Sequence, residues 1–221
     1  MSVFTKWAWI KRNWTYIVEE AYQLDLVFVG GTALNLAIFN EYRASEDIDL
    51  YDPNANSIGT SHEEKVTKQL AQRLSKKGFE HKSKKKHMLY IGPNIKIDVF
   101  NNGTSYTSIE KKVLNQTDVL LFDKQTYADM KMNSLLCRSL YDARDLVDLF
   151  IIQKETSCTL SFPKQDCEVI EQEFDDRLKD IEHTTKEDLL VFQTRDQVTE
   201  LPIDAFIEFR RWMYDWLSEF R

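Results

Sequence analysis

The sequence is poor in the residues that mark a disulfide framework or a disordered chain. Among its 221 residues are only three cysteines, six glycines and four prolines. An odd number of cysteines without CxxC spacing argues against both a set of disulfides and a zinc site. Low-complexity stretches are lacking too, so we expect a chain that folds throughout.

A long apolar run is missing as well. The segment 6–14 mixes large apolar residues with lysine and arginine, unlike the uninterrupted apolar core of a signal peptide or membrane helix. We therefore expect a cytoplasmic protein that does not enter the membrane.

The third deficit is in positive charge. With 29 Lys and Arg against 36 Asp and Glu, the formal net charge is -7, the opposite of proteins that grip long nucleic acids by their phosphates. Extended DNA binding is therefore not expected. One basic cluster runs against this balance, and it fits a solvated hairpin rim as well as a phosphate-contacting surface. Its members are Lys76, Lys77, Lys82, Lys84, Lys85, Lys86 and His87.

Hydrophobic periodicity predicts two lobes with a soft boundary near residue 105. In the first lobe, residues 1–105, it indicates helices over 5–23, 32–39 and 61–77 and strands over 24–29, 47–51, 87–91 and 96–100. In the second lobe, residues 106–221, the pattern becomes mainly helical, with helix caps at Asp123 and Asp142. Further helical segments are predicted over 164–182, 185–192 and 203–220.

Three aspartates lie within predicted strands. Asp47 and Asp49 are separated by one residue, so strand alternation points both to one face, roughly 6 to 7 Å apart along the backbone. Asp98 lies mid-strand between Ile97 and Val99. For the first two alone, a solvent-facing strand edge is the alternative. Because charges near strand centres are costly to bury unless paired or metal-bound, the three together predict a site for Mg²⁺, which prefers carboxylate oxygens.

A glycine turn precedes the aspartates. Gly30, Gly31 and Thr32 lie between a predicted strand and a predicted helix, where bare backbone amides can cradle phosphate oxygens. The segment is neither GxGxxG nor GxxxxGK[ST], so it supports no Rossmann fingerprint or P-loop. The informative feature is the order along the chain: the glycine turn comes first, and Arg43, Ser45 and the two aspartates follow it.

In that order, these residues resemble the AbiEii-type toxin nucleotidyltransferases of bacterial toxin–antitoxin and phage-abortive systems, a branch of the polymerase-β-like superfamily. Residues 30–34 and 43–50 look like the family's GGTAL and RxSxDxDL blocks, and 96–99 is similar to the strand with its third carboxylate. Residues 129–131, Arg138 and 144–149 look like its helical motifs. The match covers roughly residues 24 to 150, and its first block is the specific part.

The resemblance implies an α+β fold: a minimal polymerase-β-like nucleotidyltransferase domain, with a mixed sheet and flanking helices, followed by a helical bundle lobe. It implies Mg²⁺ or Mn²⁺, a nucleoside triphosphate, an RNA acceptor such as tRNA, and a cognate antitoxin. It further implies roles for individual side chains. These are Asp47 and Asp49 as metal ligands, Asp98 as third ligand or general base, Lys131 as a triphosphate contact, and Asp145 or Asp148 as the late acidic position.

Several residues have structural alternatives. The superfamily often has Gly-Ser where this chain has a glycine pair and Thr32, so a hydroxyl contact to phosphate falls to that threonine or to the backbone. Arg43 and Ser45 either contact phosphate or brace the turn. Lys131 fits a plain surface lysine as well. Structural ion pairs of Asp145 and Asp148 with Arg138 or Arg144 are the other interpretation of those acids.

Two further functions compete with transfer to RNA or to a protein. One is transfer to a small molecule such as an aminoglycoside, and the other is a nucleotide-binding or interaction module without turnover. Three mutually repelling carboxylates argue against the module, because it has no need of them. The segment 203–220 has apolar residues on two sides, so it fits a core helix, a wedge between lobes, or a subunit or antitoxin interface.

Overall fold

A computed structural model describes residues 3–39, 41–55, 61–101, 103, 106–138, 140–161, 167–185 and 203–219. The chain divides into two compact units, Met1–Asp123 and Lys124–Arg221. No helix in the described ranges is both long enough and apolar enough to cross a bilayer.

The first unit combines helices with a seven-stranded sheet. Its helices are α1 (Val3–Tyr22), α2 (Gly30–Ala33), which continues as a π-helix over Leu34–Ile38, and α3 (Ser61–Lys76). Its strands are β1 (Val27–Val29), β2 (Asp47–Tyr51), β3 (His81–Lys85), β4 (Met88–Ile91), β5 (Ile95–Phe100), β6 (Ile109–Leu114) and β7 (Thr117–Phe122).

The strand order is β3-β4-β5-β2-β1-β7-β6. At the centre, β2 runs antiparallel to β1 and parallel to β5, while β1 runs parallel to β7. The sheet is therefore mixed, which confirms the predicted α+β class and places the two aspartate-bearing strands side by side.

One face of β2 and β5 is fully apolar and buried. Ile48, Leu50, Ile97 and Val99 have essentially no exposed surface, and burying such a side chain contributes about 1.5–3 kcal/mol. Because successive side chains alternate between faces, this register turns the intervening charged residues of both strands to the opposite face.

The long α1 helix is amphipathic, as predicted. Trp7, Ile10, Trp14 and Ile17 recur at helical spacing and are buried. The indole of Trp14 stacks on the ring of Phe28 in β1, with 5.8 Å between ring centroids. The helix is thereby fixed to the sheet.

A hairpin after residue 105 departs from the predicted helical pattern. Strands β6 and β7 pair antiparallel from Ile109↔Phe122 to Leu114↔Thr117, and β7 joins β1. The turn residues Asn115 and Gln116 both have positive φ, 49° and 65°, as tight hairpin turns require. The compact first unit, Met1–Asp123, includes this hairpin.

The middle of the basic cluster lies in a further strand that the pattern did not predict. Residues 81–85 are the edge strand β3, which pairs antiparallel with β4. Lys82 and Lys85 are exposed on it. Lysine-rich edge strands resist pairing with other chains, so this placement agrees with the predicted solvated hairpin rim.

The second unit is helical in its described part. It contains α4 (Lys124–Cys137), α5 (Ala143–Glu155), α6 (Cys167–His183) and α7 (Ile203–Ser218). The predicted helix over 185–192 lies almost entirely outside the described residues.

The two apolar sides of α7 differ in exposure. Met213 and Leu217 are fully buried and Phe209 is nearly so, whereas Trp212 is 36% exposed and Ile207 41% exposed. Phe209, Trp212 and Trp216 form a stacked row, with ring centroids 5.7 and 6.3 Å apart. The face with Phe209, Met213 and Leu217 is therefore core, and a partner for the exposed Ile207 and Trp212 stays a prediction.

Candidate active site

The polar face of β2 and β5 carries the three predicted aspartates. The strands are parallel neighbours, with Asp47 opposite Lys96 and Asp49 opposite Asp98. Residues directly opposite in a sheet project to the same side. The structure thus brings Asp47, Asp49 and Asp98 together on one face.

A lysine lies among these carboxylates. The Nζ atom of Lys96 is 3.2 Å from Oδ2 of Asp47 and 3.4 Å from Oδ2 of Asp98. Burial alone would lower the pKa of Lys96, but the carboxylates of Asp49, Asp47 and Asp98 together raise it above the ordinary value. Lys96 therefore stays charged and offsets part of the negative charge of the cluster.

The side chain of Asp98 is more enclosed than that of Asp47. Its side chain is 14% exposed, against 32% for Asp47. Burial raises the pKa of Asp98, and the neighbouring Lys96 and His87 oppose that rise. The Nε2 atom of His87 lies 3.8 Å from Oδ1 of Asp98. That oxygen is buried and receives no hydrogen bond from any described residue.

The three carboxylates fit a divalent ion in donor chemistry. Carboxylate oxygens are the ligands that Mg²⁺ prefers, the three acids share a face, Asp49 and Asp98 are directly opposite, and the buried Oδ1 of Asp98 accepts no hydrogen bond from a described residue. Within the described ranges, however, no group of three or more His, Cys, Asp or Glu residues already has a metal-binding arrangement. Asp47 and Asp98 instead contact the ammonium of Lys96.

The glycine turn lies directly against this cluster. Gly30 has a φ of +76°, and a Cβ atom built on it would collide with the carboxylate of Asp49. A Cβ atom on Gly31 would overlap the guanidinium of Arg43. Gly30 is therefore favoured by its backbone conformation as well as by the close approach of Asp49, whereas a side chain at Gly31 would require Arg43 to shift. The predicted proximity of turn and aspartates is present.

Thr32 braces the carboxylate strand. Its hydroxyl donates a hydrogen bond of 2.5 Å to the main-chain carbonyl of Asp47. Arg43 and Ser45 are each only 3% exposed. The hydrogen bond of Thr32 leaves the backbone as the other candidate for the phosphate contact, and the burial of Arg43 and Ser45 agrees with bracing. A phosphate contact by any of the three stays a prediction.

Asn35 organises the loop before β2, and the sequence patterns did not single it out. Its amide donates to the carbonyl of Gly31 at 2.8 Å, and its Oδ1 accepts from the amides of Tyr42 and Arg43, both at 3.0 Å. The guanidinium of Arg43 then donates to the carbonyl of Ala44 at 2.9 Å. An asparagine four residues after Gly31 was the available signal, but its long-range partners depend on the fold.

The second unit has its own buried ion-pair cluster. The Nζ atom of Lys131 lies 2.9 Å from Oδ1 of Asp145 and 2.7 Å from Oδ2 of Asp148. The side chains are 11%, 2% and 0% exposed. Lys131 is therefore not a plain surface lysine, and the structure brings together all three residues predicted for this region.

Two arginines near this cluster form ion pairs with Asp142 and Asp145. Arg138 lies 3.2 Å from Oδ2 of Asp145 and 3.3 Å from Oδ2 of Asp142. Arg144 pairs with Asp142 at 2.6 Å, and Asp142 also caps α5 by accepting from the amide of Arg144. The predicted structural ion pair is confirmed between Arg138 and Asp145, whereas Arg144 braces the helix start.

The family of the chain follows from its sequence. Residues 14–212 match the model of the family described as nucleotidyl transferase AbiEii toxin, type IV TA system. The chain therefore belongs to the AbiEii nucleotidyltransferase toxin family. No curated protein matches the chain significantly.

Three solved structures are similar to the chain. A putative nucleotidyltransferase from H. pylori superimposes with a TM-score of 0.50 at 16% identity, covering 96% of each chain. An antigenic nucleotidyltransferase-like protein from Paracoccidioides brasiliensis gives 0.49 at 18% identity, covering 75% of this chain and 87% of its own. The antibiotic-resistance factor ANT(2'')-Ia gives 0.42 at 13% identity, covering 76% and 91%. The H. pylori structure supports a nucleotidyltransferase fold.

Replacing Gly30 by alanine tests the close approach to Asp49. The backbone conformation alone costs about 1–2 kcal/mol for a residue with a Cβ atom, and the collision with Asp49 adds to that. Gly78 is the matched control, since its φ is also positive, +89°, yet nothing lies within 4 Å of a Cβ atom built there. We expect Gly30→Ala to lose clearly more stability than Gly78→Ala in urea denaturation. Equal losses would refute the contact.

Replacing Lys131 by methionine tests the buried cluster. Removing one partner of a buried ion pair costs about 3–5 kcal/mol, because it leaves uncompensated charge. We expect a loss of that size in urea denaturation, partly restored by adding Asp145→Asn and Asp148→Asn. Lys154→Met, at an exposed lysine on α5, is the control. A loss below about 1 kcal/mol, as for surface pairs, would contradict the buried network.

Proposed function

We propose that this protein is an active, Mg²⁺- or Mn²⁺-dependent nucleotidyltransferase that moves a nucleotide from a nucleoside triphosphate to an RNA, such as tRNA, or to a protein. One observation carries the proposal: Asp49 and Asp98 face each other on parallel strands while Gly30 packs against Asp49. Family membership supplies the reaction class.

The carboxylates would divide the chemistry. Asp47, Asp49 and Asp98 would hold the divalent ion, which when bound neutralises charge on the triphosphate. Asp98 would also accept the proton of the attacking hydroxyl, since its Oδ1 is buried and accepts no hydrogen bond from a described residue. The hydroxyl oxygen would bond to the α-phosphorus as the bond to the leaving pyrophosphate breaks.

The turn would bind the triphosphate mainly through its backbone. The backbone amides of Gly30 and Gly31 would be the donors to the phosphate oxygens, whereas the hydroxyl of Thr32 is engaged with the main-chain carbonyl of Asp47. Arg43 and Ser45 would contribute by holding the loop in place. A phosphate contact by either would require it to leave its buried position.

Lys131 would contact a phosphate group of the nucleotide, as the motif that it resembles implies. Its ammonium is held by Asp145 and Asp148, so an incoming phosphate would compete with two carboxylates. In this proposal Asp145 and Asp148 position the lysine rather than contact substrate. The role rests on the motif that these residues resemble.

The family description also supports a partner. It names a toxin of a type IV toxin–antitoxin system, and we propose that a cognate antitoxin is encoded nearby. We place the protein in the cytoplasm, where nucleoside triphosphates and tRNA are available.

The reaction is tested with an α-labelled nucleoside triphosphate, Mg²⁺ and total tRNA. We expect label on RNA or protein with the wild type, and a loss of about 100-fold or more with Asp49→Asn, because the metal stabilises several kcal/mol of transition-state charge. Asp118→Asn is the control, since this acid lies on β7 and is half-exposed in a pair with Lys111. Intact-mass analysis identifies the acceptor and the added nucleotide.

Other outcomes are informative. Label transfer that is identical in the wild type and Asp49→Asn contradicts the proposal. Triphosphate binding that EDTA leaves unchanged, without pyrophosphate release, supports the binding module instead. Transfer to an aminoglycoside that RNA does not affect supports the small-molecule enzyme.

A further inference from the structure

Lys96 lies where a cation would be expected among the carboxylates. It is opposite Asp47 across the strand pair and two residues from Asp98 on its own strand. Its ammonium contacts both acids, at 3.2 and 3.4 Å. It therefore bridges acids from two strands.

The bridge is partly open to solvent. The side chains of Lys96 and Asp47 are 30% and 32% exposed, in contrast to the buried cluster around Lys131. Ion pairs with this exposure are weak and can exchange partners. A dissolved ion and an anionic substrate can thus reach both sides of the pair.

A divalent ion and this ammonium cannot share the position without strong repulsion. An ion bound to Asp47 and Asp98 would lie within a few ångströms of Nζ, a range at which like charges repel appreciably even in a polar medium. The ammonium has to leave these acids before an ion can bind them, and it then needs a new anion.

We propose that Lys96, which contacts Asp47 and Asp98, exchanges partners on substrate binding, so that the carboxylates accept the divalent ion while the ammonium moves to the triphosphate. This inference rests on the proposed function. Its consequence is that the metal alone binds weakly and the metal–nucleotide complex binds well. Lys96 is thereby a positioning residue that couples metal binding to nucleotide binding.

The test measures two affinities in Lys96→Met. The first is for Mn²⁺ alone, followed by the EPR signal of the free ion, and the second is for the Mg²⁺ complex of a non-hydrolysable nucleoside triphosphate, followed by calorimetry. We expect binding of Mn²⁺ alone to become about tenfold tighter and binding of the metal–nucleotide complex about tenfold weaker. A purely structural lysine would not move the two in opposite directions.

The chain offers a matched control in Lys112. Like Lys96, it lies on a strand and pairs with an acid two residues away, Glu110 at 3.1 Å, but it is exposed on β6. Lys112→Met is expected to leave both affinities unchanged. Lys96→Arg, which keeps the charge, is expected to restore weak binding of Mn²⁺ alone. Lys96→Gln repeats the test should the methionine variant fail to fold.

The outcomes separate this inference from the proposed function. Equal or weaker binding of Mn²⁺ alone by Lys96→Met overturns the exchange and leaves the metal site intact. Absence of Mn²⁺ binding by both the wild type and Lys96→Met overturns the exchange together with the metal site. Tighter binding that Asp47→Asn then abolishes supports the exchange and locates the ion at these acids.

Discussion

The repulsion among three carboxylates on two adjacent strands is the constraint around which the first unit is organised. Asp49 and Asp98 are held level by the β2–β5 register, and the buried apolar residues between the acids fix which face they use. Such an arrangement is unfavourable unless positive charge lies within it. The protein supplies this charge from the same strands, through Lys96, so the site carries its own counterion.

The two units compensate clustered acids in different ways. Around Lys131 the side chains are at most 11% exposed, and removing any partner would leave buried charge. Around Lys96 the pair is about a third exposed, so water or another ion can replace a partner at low cost. The same pair of residue types therefore gives a fixed framework in one unit and an exchangeable contact in the other.

Residue patterns predicted which face of a strand or helix a side chain uses, because that depends only on neighbours in the sequence. The alternation of Asp47, Ile48 and Asp49 was sufficient to place the acids on one face, because a buried strand has a period of two. Strand β6 was missed because its residues are largely exposed and have no apolar face to reveal them. The places of Lys96 and Asn35 could not be predicted, since both depend on strand register or on hydrogen bonds across the fold.

The turn and the carboxylate strand form one mechanical element. Thr32 donates to the carbonyl of Asp47, Gly30 packs against Asp49, and Asn35 ties the turn to the loop that leads into β2. A phosphate that contacts the turn would therefore press on the segment that positions both acids. Movement of the turn has to move the carboxylates, since the glycine leaves no space between them. In the proposed function, nucleotide and metal binding would thus be linked by packing as well as by charge.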